Sequence, residues 1–84
     1  MNEKNGNFIE ELRFFNKFGD FIKETRISCG LTINEVALKS GFTSVEIRNI
    51  EANKNKPKVD NLRKLADALN CDYFKLFDVW EKSE

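Results

Sequence analysis

Histidine is missing from this 84-residue sequence, and cysteine occurs only twice, at Cys29 and Cys71. A structural zinc site takes four sulfur or imidazole ligands, and a catalytic one takes three with an open position. Two widely separated thiolates supply neither, so no metal is expected. The lack of histidine also removes the commonest general base. No glycine-rich phosphate loop or nucleophile–base pair replaces it. Catalysis is therefore not expected, and no cofactor or small-molecule ligand is indicated. A disulfide is disfavoured in a reducing compartment, so the two cysteines read as buried free thiols acting as small apolar fillers. Long apolar runs are missing too, since nothing approaches the roughly 20 residues that span a bilayer. The polar start, Met1–Gly6, contains Glu3 and does not read as a secretory signal. No membrane partner is expected, and the cytoplasm is the expected compartment. Net charge is also absent, with 14 Lys and Arg against 14 Asp and Glu. That balance speaks weakly against a nucleic-acid partner.

The distribution of charge says more than its sum. From Lys39 to Lys64, seven cations (Lys39, Arg48, Lys54, Lys56, Lys58, Arg63 and Lys64) face three carboxylates, a net +4. From Leu65 to Glu84, two cations face five carboxylates, a net −3. The chain has a basic middle and an acidic end. Hydrophobic residues make up 40%, enough for one compact core in a chain of this length, and eight of them are phenylalanines.

Apolar spacing of three and four residues predicts helices throughout, with no strand signal, repeat or low-complexity segment. Phe8, Ile9, Leu12, Phe15, Phe18 and Ile22 form the first such set, read as one long helix or as two joined near Asn16. Gly19 weakens this segment slightly, and Gly30 ends it as a cap. Thr32 with Glu35 has capping-box spacing and opens a second helix bearing Ile33, Val36, Ala37 and Leu38, which Gly41 ends. Thr43 with Glu46 repeats the pattern before a third helix, about Ser44–Ala52, with Val45, Ile47 and Ile50. A basic loop, Asn53–Lys58, holds the only proline, Pro57. Asp60 is expected to cap a fourth helix with Leu62, Leu65, Ala66 and Leu69 on one face. Asp72 is expected to cap a fifth with Phe74, Leu76, Phe77 and Trp80. The expected fold is all-α and compact, five helices with an additional N-terminal helical segment. The division is 1–16 as extension, 17–78 as domain and 79–84 as C-terminal tail. The second and third helices, about three residues apart, have the spacing of a helix-turn-helix.

Residues Phe18–Phe77 resemble the phage-repressor or Cro-type helix-turn-helix family, often called XRE. The resemblance is carried by Arg26, Gly30-Leu31-Thr32, Glu35-Val36-Ala37, Gly41-Phe42-Thr43, Ile47, Ile50-Glu51, the Lys54-to-Pro57 loop, Leu65-Ala66 and Leu69. Each piece alone is weak; their order and separation make the signal. The resemblance implies a sequence-specific regulator of transcription on double-stranded DNA, with repression the expected mode and the third helix in the major groove. By position it implies base contacts from Ser44, Val45 and Asn49. An asparagine amide can pair with adenine, and a valine can meet a thymine methyl. It implies backbone contacts from Thr43, Arg48, Lys54, Lys56 and Lys58. It also implies a structural salt bridge between Arg26 and Glu51.

Several positions depart from the family pattern. Ile33 stands where a DNA-contacting glutamine is common. Glu46 could repel phosphate, accept from a cytosine, or only complete its capping box. Phe21 and Ile27 are apolar where the family is usually polar, so a cover is expected, with Phe8–Phe15 the first candidate and a second subunit the other. A homodimer is expected, because one such domain reads few base pairs. Phe8, Ile9, Leu12, Phe14 and Phe15 form one apolar surplus. Phe74, Phe77, Val79 and Trp80 form the other, with Val79 and Trp80 the expected dimer surface unless Trp80 closes the monomer's own core. The rival reading is a protein-interaction adaptor or anti-regulator on the same fold that has lost DNA binding.

Overall fold

The computed structural model describes residues 17–83. Its elements are α1 (Phe18–Ser28), α2 (Ile33–Ser40), α3 (Ser44–Glu51), a 3-10 turn (Val59–Asn61), α4 (Leu62–Leu69) and α5 (Tyr73–Lys82). Among the described residues there is no strand, and no helix is long and apolar enough to cross a membrane.

Local chemistry sets most of the boundaries. Lys17 is extended, with φ −116° and ψ 134°, so α1 starts at Phe18. Both capping boxes form. Thr32 Oγ1 accepts from the Glu35 amide at 3.0 Å and Glu35 Oε1 accepts from the Thr32 amide at 2.8 Å. Thr43 and Glu46 repeat this at 3.0 and 2.8 Å. Each box satisfies two amide donors that a helix start would leave orphaned. Gly41 ends α2 at φ 85°, a left-handed conformation that costs a residue without Cβ nothing. Asp72 caps α5 as expected, accepting from the Lys75 amide at 3.3 Å.

The fourth helix differs from its expectation. It begins at Leu62, not after Asp60, and Asn61 is its N-cap without a side-chain bond. A 3-10 turn, closed by the Asn61 amide on the Lys58 carbonyl at 2.9 Å, carries the chain inward. It delivers Leu62 fully buried into the core. The last helix runs unbroken to Lys82, where a tail was expected from residue 79.

α2 packs on α3 and α4, α1 on α3, and α5 on α4 and α1. Ile22, Val36, Ile47, Leu62, Leu65, Leu69 and Leu76 meet with no exposure. Every described helix therefore contributes at least one fully sequestered side chain, worth about 1.5–3 kcal/mol each relative to solvent. Phe21 is buried and Ile27 is half exposed at 52%. The segment expected to cover them, Phe8–Phe15, lies outside the described residues.

The cysteines require a correction. Both are free thiols, but Cys29 is exposed and only Cys71 is partly buried. Cys29 falls at the C-cap of α1, on the solvent side of the helix end, where its Sγ donates to the Leu69 carbonyl at 3.3 Å. Burial pushes the Cys71 thiol above its ordinary pKa, with Lys75 opposing and Asp72 and Cys29 adding to the shift.

Of its two expected roles, dimer surface or closure of the monomer's own core, Trp80 takes the second. It is partly buried against the core, stacked on Phe77 with centroids 5.8 Å apart, and its Nε1 donates to the Pro57 carbonyl at 2.8 Å. Val79 is partly buried as well. The large apolar side chain left most open on this helix is Phe74, 74% exposed.

Candidate nucleic-acid interface

The presentation of α3 follows from what it buries. Ile47, Ile50 and Glu51 face the core, while Val45 and Arg48 are exposed and Ser44 and Asn49 are partly buried. Val45 and Asn49 are one turn apart on the helix, as are Ser44 and Arg48, so the four share one outward stripe. The short Gly41–Thr43 connection fixes where this helix starts relative to α2. There the Phe42 amide donates to Ser40 Oγ at 3.3 Å, and that hydroxyl donates in turn to the Ala37 carbonyl at 3.3 Å.

Ser44 is not alone at the tip. Its Oγ hydrogen-bonds the Oδ1 of Asn34, which lies in the first turn of α2. Sequence reasoning missed Asn34. The family's glutamine position is occupied by Ile33, and Asn34 carries an amide one residue later. Thr43 uses Oγ1 as an acceptor for the capping box and is exposed, so its hydroxyl proton remains able to donate. Of the three roles open to Glu46, the capping box is the one its Oε1 performs.

Arg26 and Glu51 form the bridge implied by their positions. Arg26 Nε reaches Glu51 Oε2 at 2.7 Å and Nη2 reaches Oε1 at 3.1 Å, while Nη1 donates to the Leu31 carbonyl at 2.9 Å. The side chains are 13% and 6% exposed. The hydrogen bonds it donates to Glu51 raise the arginine's pKa, burial lowers it, and the opposing charge raises it again, for a net shift upward. The pair therefore fastens the end of α3 to α1 and leaves no charge of its own for a ligand.

The same end of α3 is held by Asn53, in the left-handed region at φ 62°. Asn53 Oδ1 accepts from the Gly19 amide at 2.8 Å, and its Nδ2 donates to Asp20 Oδ1 at 3.0 Å. The amides of Lys54 and Asn55 both return to the Asn49 carbonyl, at 2.9 and 3.3 Å. The loop thus leaves directly beneath the residue expected to read a base.

The loop lysines separate into two surroundings. Lys54 joins Lys23, Ile33, Arg48, Asn49, Glu51 and Ala52 around one shallow open depression. Three cations therefore stand around Asn49, and Lys23, from α1, was not foreseen. Its helix has no basic run to draw attention to it. Lys56 and Lys58 line a second depression with Phe42, Glu46, Ile50, Asn55, Pro57 and Asn61, on the other side of α3. Lys56 is further engaged: its Nζ donates to the Ser83 carbonyl at 3.0 Å and lies 4.8 Å from the Trp80 ring centroid.

With this geometry in place, the chain can be set beside known proteins. A family profile described as Helix-turn-helix, HTH_3, matches residues 22–76. An uncharacterized HTH-type transcriptional regulator of Bacillus subtilis strain 168, RghRB, is 38% identical over 60 residues, covering 70% of this chain and 43% of the relative. The chain thus spans less than half the length of that curated relative. Among solved structures, the restriction-modification controller protein C.AhdI from Aeromonas hydrophila superposes with a TM-score of 0.68 at 29% identity, covering 79% of this chain and 96% of the other. An HTH_3 family transcriptional regulator from Vibrio cholerae superposes with a TM-score of 0.68 at 24% identity, covering 80% of this chain and 38% of the other. At that identity the second likeness speaks for the fold alone.

Proposed function

The chain belongs to the HTH_3 helix-turn-helix family, and from that premise we propose that it is a transcriptional regulator that inserts α3 into the major groove of double-stranded DNA. The observation that carries this reading is the outward stripe of α3. Ser44, Val45, Arg48 and Asn49 line the outward side of a helix whose other side is locked in the core, with Lys23 and Lys54 beside them. The short polar side chain, the apolar contact and the amide suit base edges, and the surrounding cations suit phosphates. We read Asn49, Val45 and Ser44 as the base-reading residues. Lys54, Arg48, Lys58 and Thr43 are the backbone contacts, with Lys23 added.

The roles separate experimentally. On a duplex selected from a random pool, Asn49→Ala is expected to cost about 1–3 kcal/mol and to relax preference at one base pair. Lys54→Ala is expected to weaken all duplexes alike and to reduce the slope of log K against log salt by about 1. Anisotropy titrations across salt concentrations measure both. Equal losses on every sequence for both variants would refute the assignment. A wild-type chain with no salt-dependent duplex binding would refute DNA binding itself and favour the interaction-module reading.

We further propose that the protein works as a homodimer, since paired half-sites about one helical turn apart extend the sequence read. Phe74 is the described apolar side chain on α5 that a partner could cover, because Trp80 is engaged within the monomer. Sedimentation equilibrium is expected to show a dimer on a palindromic duplex, weakened by Phe74→Ser. A monomer at tens of micromolar both free and on such a duplex would exclude it.

A further inference from the structure

The loop that carries Lys54 to Lys58 is anchored at its start by the Asn49 carbonyl and at its end by the Asn61–Lys58 bond. Its middle is held from elsewhere. Trp80, near the end of α5, donates its indole Nε1 to the Pro57 carbonyl at 2.8 Å. The face of the same indole lies 4.8 Å from the Lys56 ammonium, which donates to the Ser83 carbonyl at 3.0 Å. Ser83 is itself fixed: it is 8% exposed, its amide donates to Val79 and its hydroxyl donates to the Trp80 carbonyl, both at 3.0 Å. Phe77 stacks on the indole from the core side. One rigid side chain therefore receives two consecutive loop residues, Lys56 through charge and Pro57 through its carbonyl.

We propose that Trp80 is a positioning residue for DNA binding: its clamp on Lys56 and Pro57 sets where the loop stands against the phosphate backbone. The proposal rests on the DNA-binding reading above. The physical reason is entropic as well as geometric. Proline has no amide to donate, so this stretch must be ordered through its carbonyl and side chains. A loop ordered before binding loses less freedom when it meets phosphate. The clamp also divides the lysines. The Lys56 ammonium is committed to α5, where a cation over a tryptophan face is favourable. Lys54 and Lys58 are left to meet phosphates. The acidic, aromatic end of the chain thus takes part in binding a polyanion without touching it.

The test is Trp80→Phe, which keeps an aromatic ring against Phe77 but removes the Nε1 donor. Binding to fluorescein-labelled random-sequence 20-base-pair duplexes is measured by anisotropy between 50 and 200 mM salt, with affinities referred to the folded fraction. The variant is expected to bind all duplexes about three- to tenfold more weakly and to lose about one unit of salt slope, as for one displaced phosphate contact. A lower Tm with unchanged affinity and slope would make Trp80 purely structural and overturn the proposal. Absence of binding by the wild-type chain would instead overturn the DNA reading, and this proposal with it. Trp80 is the only tryptophan, so the wild-type chain supplies a second measurement should the variant fail to fold. Acrylamide quenching of its fluorescence is expected to stay the same when the protein is saturated with duplex. Increased quenching would mean that the clamp opens on binding, contrary to the proposal.

Discussion

Glu51→Ala is expected to destabilise the fold by about 3–5 kcal/mol, because it leaves the Arg26 guanidinium buried beside an empty space. Two charge-assisted hydrogen bonds disappear, at 2.7 and 3.1 Å, and the third, to the Leu31 carbonyl, cannot neutralise the cation. A loss of this size is a large share of the about 5–15 kcal/mol that keeps a typical domain folded. Urea unfolding followed by circular dichroism measures it. Arg26→Met combined with Glu51→Leu is expected to recover much of the loss, since most of it is the cost of an orphaned charge and not the worth of the bridge. With side-chain exposures of 13% and 6%, the pair is expected to resist screening by salt. A single-variant loss below about 1 kcal/mol would place the bridge among ordinary exposed pairs and remove its structural role.

Gly19→Ala is expected to destabilise the protein by at least about 2 kcal/mol, opposite in sign to its intrinsic effect on a helix. By propensity alone, alanine gains about 1 kcal/mol over glycine inside a helix. Here α1 lies against the end of α3 with no room for a methyl group. A Cβ on Gly19 would fall on the Ile50 carbonyl oxygen and within 2.5 Å of Asn53 Oδ1. The backbone oxygen cannot swing aside, and moving Asn53 breaks its 2.8 Å bond from the Gly19 amide. Thermal unfolding decides the matter. A Tm equal to or above that of the wild type would show that the close approach of α1 to α3 is not required. Because Asn53 leads directly into the Lys54 loop, the same variant is expected to weaken binding to duplexes of every sequence.

The two cases mark how far the sequence could be read. Arg26 and Glu51 were legible as a pair because their positions match a family pattern, and their geometry then agreed. Gly19 was legible only as a slight helix weakness. Nothing local shows that residue 50's carbonyl, 31 positions later, will lie against it. Lys56 and Trp80 repeat the lesson. As a lysine in a basic loop Lys56 read as a phosphate contact, and as an apolar residue in an acidic end Trp80 read as a dimer surface or as the closure of the monomer's own core. That the two meet each other was not legible in either stretch. The cysteines failed for a related reason. Composition favours burial of cysteine, but Cys29 falls at the C-cap of α1 and is exposed there.

What the sequence determined by itself was everything governed by interactions within a few residues. The two capping boxes, the glycine-ended α2, the Asp72 cap and the spacing of apolar residues all act over one or two helical turns, so they are written in consecutive letters. They fixed an all-helical chain, the α2–α3 pair and which side of α3 faces outward. The tertiary structure alone decided what meets across the core. It placed α1 against α3 closely enough to require Gly19, brought Asn34 to Ser44 and Lys23 to Asn49, and folded Trp80 onto Pro57. Those contacts depend on the angles and offsets at which helices pack. Such angles are set by the summed shape of many side chains, which no short stretch of sequence specifies.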